Sequence, residues 1–421
     1  MPASGSPTPS PASASAIPES GRHPLSEPAF RALWSANLIA NIGVWMQTVG
    51  GAWLMTTLTA DALPVALMQT ATTMPSFLVG LPAGSLADRI DRRHLLLMAQ
   101  AWMFVSVALL AVLTLLGVVS PWLLLILTFS LGAGSALVGP TWAALLPDVV
   151  SRSQVPTAIS MSSAGYNIAR AVGPAIGGFV LAVAGPAATF LLNAGAFLTT
   201  SLVIFRWRSP VQRVARDDAT SAEPFLRTML TGLQYAWRDA PQRLVLARSI
   251  IWMLCASALW GLLPLVARRE LALDAPGYGL LVTCVGLGAI GGSFALPRLR
   301  RNWPTNALLI AAIVTFTAML LVLAWVRWVP LVCGLLALGG AAWTTSNQNF
   351  QIAVQMSAPG WVRARAIAAY LITFQGGLAV GSAIWGAVAE RAGDPLALTL
   401  AAAGLVLGLL AALRWPVEDN K

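Results

Sequence analysis

Five charged side chains lie close together in the stretch GSLADRIDRR, Gly84 to Arg93, between two strongly apolar segments. A carboxylate accepts hydrogen bonds well from the free amides that begin a helix, where the helix dipole also favours negative charge. Asp88 is therefore predicted to face the start of a neighbouring helix, while Gly84 lets another backbone come close. The alternative is a tight turn whose arginines only mark topology, and it accounts for most of the role of Arg92 and Arg93.

Arg170 is the single charge deep inside an apolar segment. It lies 13 residues beyond Thr157, or roughly 20 Å along a helix axis, where an unpaired arginine costs several kcal/mol. All 16 acidic residues fall in tails, loops or segment ends, so none is predicted as its counter-ion. Two interpretations stay open. Arg170 binds backbone carbonyls and neighbours such as Tyr166 and Asn167, or it binds an acidic or strongly hydrogen-bonding solute, such as a catecholate or carboxylate.

Amides and indoles recur at helical spacing in further apolar segments and so share a helix face. Side chains of this kind suit a bulky solute that is partly aromatic and partly polar. Hydrogen bonding between helices and simple packing are the alternative roles. Besides Arg170, the predicted solute contacts are Asn37, Asn41, Trp45, Trp252, Trp260, Trp343, Asn347 and Gln351.

The sequence has no recognisable catalytic or metal-binding pattern. It has two histidines, His23 and His94, and three cysteines in apolar stretches without CxxC spacing. It has no nucleophile elbow and no Walker sequence, so an enzyme and an ATP-driven pump are both disfavoured. No metal and no cofactor is expected, and coupling to a proton gradient is left open.

Composition indicates that lipid, not water, surrounds most of the protein. Hydrophobic residues make up 57% of the chain and charged residues 10%, whereas soluble domains carry about 25% charged residues. The net charge of +10 comes from basic residues in short runs between apolar segments. That distribution is typical of membrane topology rather than of nucleic-acid binding.

About twenty apolar residues cross a bilayer as a helix, and the chain contains twelve such segments. They are roughly 30–57, 64–87, 95–118, 121–146, 157–184, 186–205, 245–267, 276–297, 305–326, 328–354, 364–389 and 394–414. The predicted organisation is a disordered tail at 1–29, a six-helix bundle at 30–205, a linker at 206–244, a second bundle at 245–414 and a tail at 415–421.

The basic residues give these spans an orientation. If the N-terminus is cytoplasmic, 21 Lys and Arg residues lie inside, 4 lie outside and Arg170 lies within a span. Basic residues concentrate on the cytoplasmic side of membrane proteins. Both termini are therefore predicted to be cytoplasmic, in the inner membrane of a bacterium.

The two halves of the sequence repeat one another. GSLADRIDRR at Gly84 aligns with GSFALPRLRR at Gly292, and VGPAIGG at Val172 aligns with VGSAIWG at Val380. Both pairs are separated by 208 positions. This shared offset indicates duplication of a six-helix unit, which is common among secondary transporters.

These motifs resemble the major facilitator superfamily. GSLADRIDRR is similar to its loop between helices 2 and 3, and GPAIGG is similar to the core of its helix-5 motif, here Gly173, Pro174, Gly177 and Gly178. NIGVWMQTVGGAWL and SAPGWVRARAIAAYLITFQGGLAVGSAIWG resemble the branch of the enterobactin exporter and macrolide-efflux proteins. The resemblance covers residues 29 to 414, although helix 4 lacks the family's arginine and the second loop copy lacks the acidic residue.

The resemblance implies an all-α membrane protein with twelve transmembrane helices in two pseudo-symmetric six-helix bundles. It also implies that helices 1, 4, 7 and 10 line a central cavity and that Asp88 faces the start of helix 11. The implied gating residues are Gly84, Asp88, Arg89, Arg92, Arg93 and Arg363.

The predicted function is secondary active transport by alternating access, with export of a small amphipathic or acidic compound, siderophore- or drug-like, favoured. Import of an organic solute is one alternative, and a non-transporting sensor with the same fold is another. The expected partners are a small-molecule substrate and the lipid bilayer, without nucleic acid, and a monomer is the expected state.

Overall fold

A computed structural model describes residues 23–207, 239–359 and 363–414, with side chains described except at 80–89, 240–241, 363–365 and 412–414. Among these residues, eleven helices are long and apolar enough to cross a membrane. The parts predicted as tails at 1–22 and 415–421, and most of the predicted linker, 208–238, lie outside the described residues.

The helices follow the predicted spans closely. In chain order they are α1 Pro28–Leu58, α2 Ala62–Arg89, α3 Arg92–Leu115, α4 Pro121–Val149, α5 and α6 within Val155–Arg206, α7 Ala240–Leu265, α8 Ala275–Asn302, α9 Thr305–Trp325, α10 Val329–Ser357, α11 Arg363–Ala392 and α12 Asp394–Arg414. A short π-helical turn, Val266–Glu270, follows α7.

Val155–Arg206 contains two spans. Its 52 residues would reach about 78 Å as one helix, far more than a bilayer core of about 30 Å. Gly185 breaks it with φ +76°, a conformation that glycine adopts without strain, and Pro186 follows. We name residues 155–184 α5 and residues 186–206 α6, so the predicted number of twelve spans is confirmed.

Several helices extend beyond the apolar segments that predicted them. α7 starts at Ala240 because Asp239 caps it, its carboxylate accepting from the Gln242 amide at 3.2 Å. α8 continues through the basic turn at Arg300 to Asn302 because backbone hydrogen bonding does not end where hydropathy falls. α1 begins at Pro28, inside the predicted N-terminal tail.

The helices form two halves, α1–α6 and α7–α12. In the first half, α1 packs on α5 and α6, α2 on α4, and α3 on α4 and α6; in the second, α7 packs on α11 and α12, α8 on α10, and α9 on α10 and α12. The halves meet mainly along two helix pairs, α2 with α11 and α5 with α8.

Glycine contacts reproduce the repeat in three dimensions. Gly178 of α5 lies against Ala275 and Gly279 of α8, and Gly386, its equivalent 208 positions later, lies against Leu63 and Ala66 of α2. Each half therefore places a glycine of its fifth helix on the second helix of the other half. The pseudo-symmetry predicted from the sequence is confirmed.

Because the number of spans is even, Pro28 and Arg414 lie at the same end of the bundle, here called the terminal end. The connections α1–α2, α7–α8 and α11–α12 lie at the other end, here called the opposite end.

Candidate solute cavity

A cavity with about 950 Å³ of space, including space open to solvent, lies between the two halves. None of the described side chains that line it carries a formal charge. Its polar and aromatic lining comes from α1, α2, α4, α6, α7 and α8. It comprises Trp45, Gln47, Thr48, Gln69, Thr72, Thr128, Ser135, Phe190, Trp260 and Tyr278.

The predicted polar face of α1 reaches this cavity through Trp45. Its indole packs edge to face on Tyr166 of α5, with ring centroids 6.3 Å apart. The Asn41 amide donates to the Asn37 carbonyl oxygen at 2.7 Å and is half-buried. One donor of Asn41 is therefore used within α1, while Trp45 faces the cavity and α5.

The predicted contacts of α7 and α10 form an aromatic wall behind the cavity. Trp343 is 6% exposed and packs on Trp252, Trp260 and Phe316 with centroid distances of 5.8–6.3 Å. Asn347 accepts a hydrogen bond from the Trp252 indole at 3.3 Å. Trp260 lines the cavity directly, whereas Trp252 is buried in the wall. Gln351 lies further along α10 and is half-buried.

Arg170 lies in the middle of α5, one turn after Tyr166, and is half-buried. Among the described residues it has no ion-pair partner, and its Nε atom is buried without a hydrogen bond. Its backbone carbonyl lies at the α5–α8 contact, where a Cβ built on Gly286 would come within 2.9 Å of it. The guanidinium thus has no described carboxylate partner. Arg170 is not among the residues that line the cavity, but Tyr166, one turn before it, packs on the cavity-lining Trp45.

Two of the predicted gating arginines contact only their own half in the described structure. Arg92 pairs with Asp148 of α4 at 2.9 Å. Arg93 donates to the backbone carbonyls of Ile204 and Phe205 at the end of α6 and lies over the Phe205 ring. These contacts fasten the α2–α3 connection to the N-terminal half. The side chains of the other predicted gating residues, Gly84, Asp88, Arg89 and Arg363, lie outside the described ones.

Charged side chains bridge the two halves at the opposite end. The Glu390 carboxylate of α11 accepts hydrogen bonds from the first two amides of α2, those of Ala62 and Leu63, the latter at 3.0 Å. Arg269, which pairs with Asp394 of its own half at 3.3 Å, donates to the carbonyl oxygen of Ala60. We call this set the opposite-end clamp.

An aromatic stack lies between the opposite-end clamp and the cavity. The rings of Trp53 of α1 and Tyr278 of α8 stack with centroids 6.0 Å apart. The Arg268 guanidinium lies 5.6 Å from the Trp53 ring centroid and donates to the Thr56 hydroxyl at 3.0 Å. Because Tyr278 also lines the cavity, this stack closes it toward the opposite end.

Sequence reasoning did not identify the clamp residues as a group. One signal was present, because an acidic residue in the last turn of a helix opposes that helix's own dipole. Glu390 stands in the last turn of α11 and is stabilised by the start of a different helix, which no pattern within α11 reveals.

The helix-5 motif allows close packing on two sides. A Cβ at Gly173 would lie 2.6 Å from the Trp45 Cβ, and one at Gly177 would lie 2.8 Å from the Met46 Cα. On the other side, Gly178 faces α8. Pro174 lies inside α5, and its carbonyl oxygen meets α8 at Gly279.

Replacement of Gly279 by Val should lower the thermal stability of the purified protein. A Cβ there would lie 2.8 Å from the Pro174 carbonyl oxygen and 3.0 Å from the Gly178 Cα, so backbone must move. Overpacking of this kind costs about 1–3 kcal/mol. Gly291→Val in the same helix is the control, because nothing lies within 4 Å of its Cβ position. Equal melting temperatures for the two variants, measured in detergent, would show that the α5–α8 contact accommodates the larger side chain without loss of stability.

Comparison with known proteins agrees with this architecture. A family model described as transmembrane secretion effector matches residues 19–421. The enterobactin exporter EntS of Salmonella typhimurium is 26% identical over 390 residues, covering 91% of this chain and 92% of that one. The multidrug efflux pump Tap of Mycolicibacterium fortuitum is 25% identical over 385 residues, covering 89% and 93%. The staphyloferrin A transporter of Staphylococcus aureus is 26% identical over 266 residues, only 63% of this chain and 66% of that one.

Solved transporters share the fold at low sequence identity. The nucleoside transporter NupG superposes with a TM-score of 0.73 at 12% identity, covering 92% of this chain and 98% of that one. A bacterial homologue of the iron transporter ferroportin in an inward-facing state gives 0.69 at 14% identity, covering 92% and 98%. The family match spans nearly the whole chain, and the protein belongs to the transmembrane secretion effector family, a family of major facilitator transporters rather than enzymes.

Proposed function

We propose that the protein exports a small amphipathic or acidic organic compound by alternating access. The observation that carries this proposal is a cavity between two pseudo-symmetric halves, closed at one end by charged side chains of one half that bind the other. Contacts of this kind can break and re-form without unfolding either half. A cavity reached alternately from the two ends moves its contents across the membrane.

The proposed orientation has both termini in the cytoplasm of a bacterium and the chain in its inner membrane. The count of 21 basic residues inside against 4 outside supports this orientation. The opposite end then faces outward, and the clamp corresponds to a state that is closed to the outside.

The proposed solute pairs an acidic group with an aromatic body. Arg170 supplies a guanidinium without a described carboxylate partner, and Trp45 supplies an indole face at the cavity. A solute anion would then supply the missing charge, since an unpaired buried charge is costly. Of the remaining predicted contacts, Trp260 lines the cavity on the α7 side.

Export is favoured over import because the relatives named above include an enterobactin exporter and a multidrug efflux pump. We infer no resident cofactor and a monomeric state, with the proton gradient as the source of energy. Helix 4 has no arginine in the stretch LTFSLGAGSALVGP, so any proton coupling uses other groups.

The test is flux in membrane vesicles of both orientations, with radiolabelled 2,3-dihydroxybenzoate as the probe. Inside-out vesicles with an imposed proton gradient should accumulate the probe, and a protonophore should abolish the accumulation. Accumulation only in right-side-out vesicles would indicate import. Saturable binding without accumulation in either orientation would indicate a receptor.

A further inference from the structure

A buried amide pair lies beside the cavity at the contact of α1 with α6. The Asn193 side-chain NH₂ of α6 donates to the Gln47 side-chain oxygen of α1. Asn193 is fully buried, Gln47 is 5% exposed, and Gln47 belongs to the cavity lining. The pair therefore connects a site hidden between helices to a side chain that the solute meets.

The pairing decides which end of the Gln47 amide the solute meets. A carboxamide has one oxygen acceptor and one NH₂ donor group. Asn193 occupies the oxygen, and no hydrogen bond of the Gln47 NH₂ is seen among the described residues; the buried Asn193 side-chain oxygen is also without a partner there. The polar group left for the cavity contents is a donor.

A second unused donor lines the same cavity. The indole N–H of Trp260 is buried and has no acceptor within the described structure. Its ring is held edge-on against Trp343 with centroids 5.8 Å apart. A buried donor without an acceptor is unfavourable, so a solute acceptor that reaches the indole N–H supplies the missing hydrogen bond.

The local backbone is built around Asn193. A Cβ at Gly43, one turn before Gln47 on α1, would lie 2.4 Å from the Asn193 side-chain oxygen. Glycine at this position makes room for the amide, and the Asn193 side chain fits between Gly43 and Gln47.

We propose that Gln47 and Trp260 form a donor subsite for an acceptor oxygen of the solute, and that Asn193 is the positioning residue that turns the Gln47 NH₂ toward it. This proposal rests on the proposed transport function but adds a different part of the solute. Arg170 takes an anionic group, whereas the donor subsite takes a neutral carbonyl or a similar acceptor. The selectivity is for hydrogen-bond acceptors and does not depend on charge.

The experiment compares two neutral catechols of similar size, 2,3-dihydroxybenzamide and 3-ethylcatechol, of which only the first has a carbonyl acceptor. Binding to purified protein is measured by tryptophan fluorescence quenching, and flux is measured separately in vesicles. The wild type should bind the amide about fivefold to tenfold more tightly than the ethyl analogue, the effect of about one or two hydrogen bonds. Equal affinity, or no binding of the amide, overturns the proposal.

The variants separate positioning from folding. Asn193→Leu should remove the preference for the amide and leave the affinity for 3-ethylcatechol nearly unchanged. Gly43→Ala, which crowds Asn193 from the other side, should do the same. Thr200→Val is the control, because Thr200 is buried at the same α1–α6 contact and donates to the Ala36 carbonyl at 3.2 Å. Its preference should equal that of the wild type.

Each remaining outcome decides one question. A preference retained in both Asn193→Leu and Gly43→Ala overturns the positioning role, and a preference lost equally in Thr200→Val assigns the effect to helix packing. If the wild type binds the amide selectively but neither probe crosses the membrane, the donor subsite stands and the transport function fails.

Discussion

Arg170→Gln should reduce transport of 2,3-dihydroxybenzoate at least about tenfold and change transport of 2,3-dihydroxybenzamide by less than about twofold. The guanidinium has no described carboxylate partner, so a carboxylate on the solute is the group expected to gain from it. Hydrogen bonds to charged groups contribute about 1.5–3 kcal/mol, and about 1.4 kcal/mol corresponds to a factor of ten. Gln keeps a hydrogen-bond donor on a shorter side chain but loses the charge, so the two probes should separate.

A matched control is Arg93→Gln. Arg93 is likewise an arginine of the N-terminal half, in α3. Its guanidinium donates to the Ile204 and Phe205 carbonyls, away from the cavity. Its replacement should affect both probes equally through the amount of folded protein. An equal loss for both probes in Arg170→Gln would make Arg170 structural as well, and an unchanged preference for the carboxylate would exclude it as the anion site.

The sequence predicts most of the fold because lipid simplifies the problem. Helices are the spanning structures available to an apolar chain of this kind, and hydropathy therefore located twelve spans within a few residues. The contacts between particular helices were harder to predict from the sequence. The contact of Gly178 with α8 and that of Gly386 with α2 were not predicted, although the repeat offset relates the two contacts.

The cavity was harder to predict than the spans. A regular four-residue spacing shows that Asn37, Asn41 and Trp45 share a face, but it cannot show which of them a neighbouring helix covers. Gln47 lies off that face and still lines the cavity, because α1 borders both α6 and the central space. Its partner Asn193 is 146 positions away, so no local pattern joins them.

Glu390→Gln should shift the protein toward a form that is open at the opposite end. The carboxylate accepts from two amides at the start of α2, where both hydrogen bonding and the helix dipole favour a negative charge. Gln keeps one acceptor oxygen and loses the charge. A loss of about 1–2 kcal/mol changes the ratio of closed to open forms by roughly fivefold to thirtyfold.

The measurement is labelling of a single cysteine at Ala52, a cavity-lining position that is 7% exposed. It is made in a background with Cys255, Cys284 and Cys333 replaced by serine. A membrane-impermeant maleimide added outside intact cells should label this cysteine several times faster in Glu390→Gln than in the parent. Glu270→Gln is the control, because Glu270 pairs with Arg327 at the same end but within one half. That variant should label at the parental rate, and equally fast labelling in both variants would indicate general loosening of the surface.

The shift toward the form open at the opposite end should also weaken solute binding from the cytoplasmic side. Apparent affinity scales with the fraction of protein in the binding-competent form, so a smaller closed-outside fraction raises the solute concentration needed for half-maximal export. The half-maximal concentration rises by the whole factor of roughly fivefold to thirtyfold only if the open form predominates in the variant. The labelling rate measures the fraction of the open form independently. Faster labelling with an unchanged half-maximal concentration would mean that the closed-outside form still predominates. No change in labelling at all would mean that the aromatic stack of Trp53 and Tyr278, with Arg268 over it, holds the opposite end closed without Glu390.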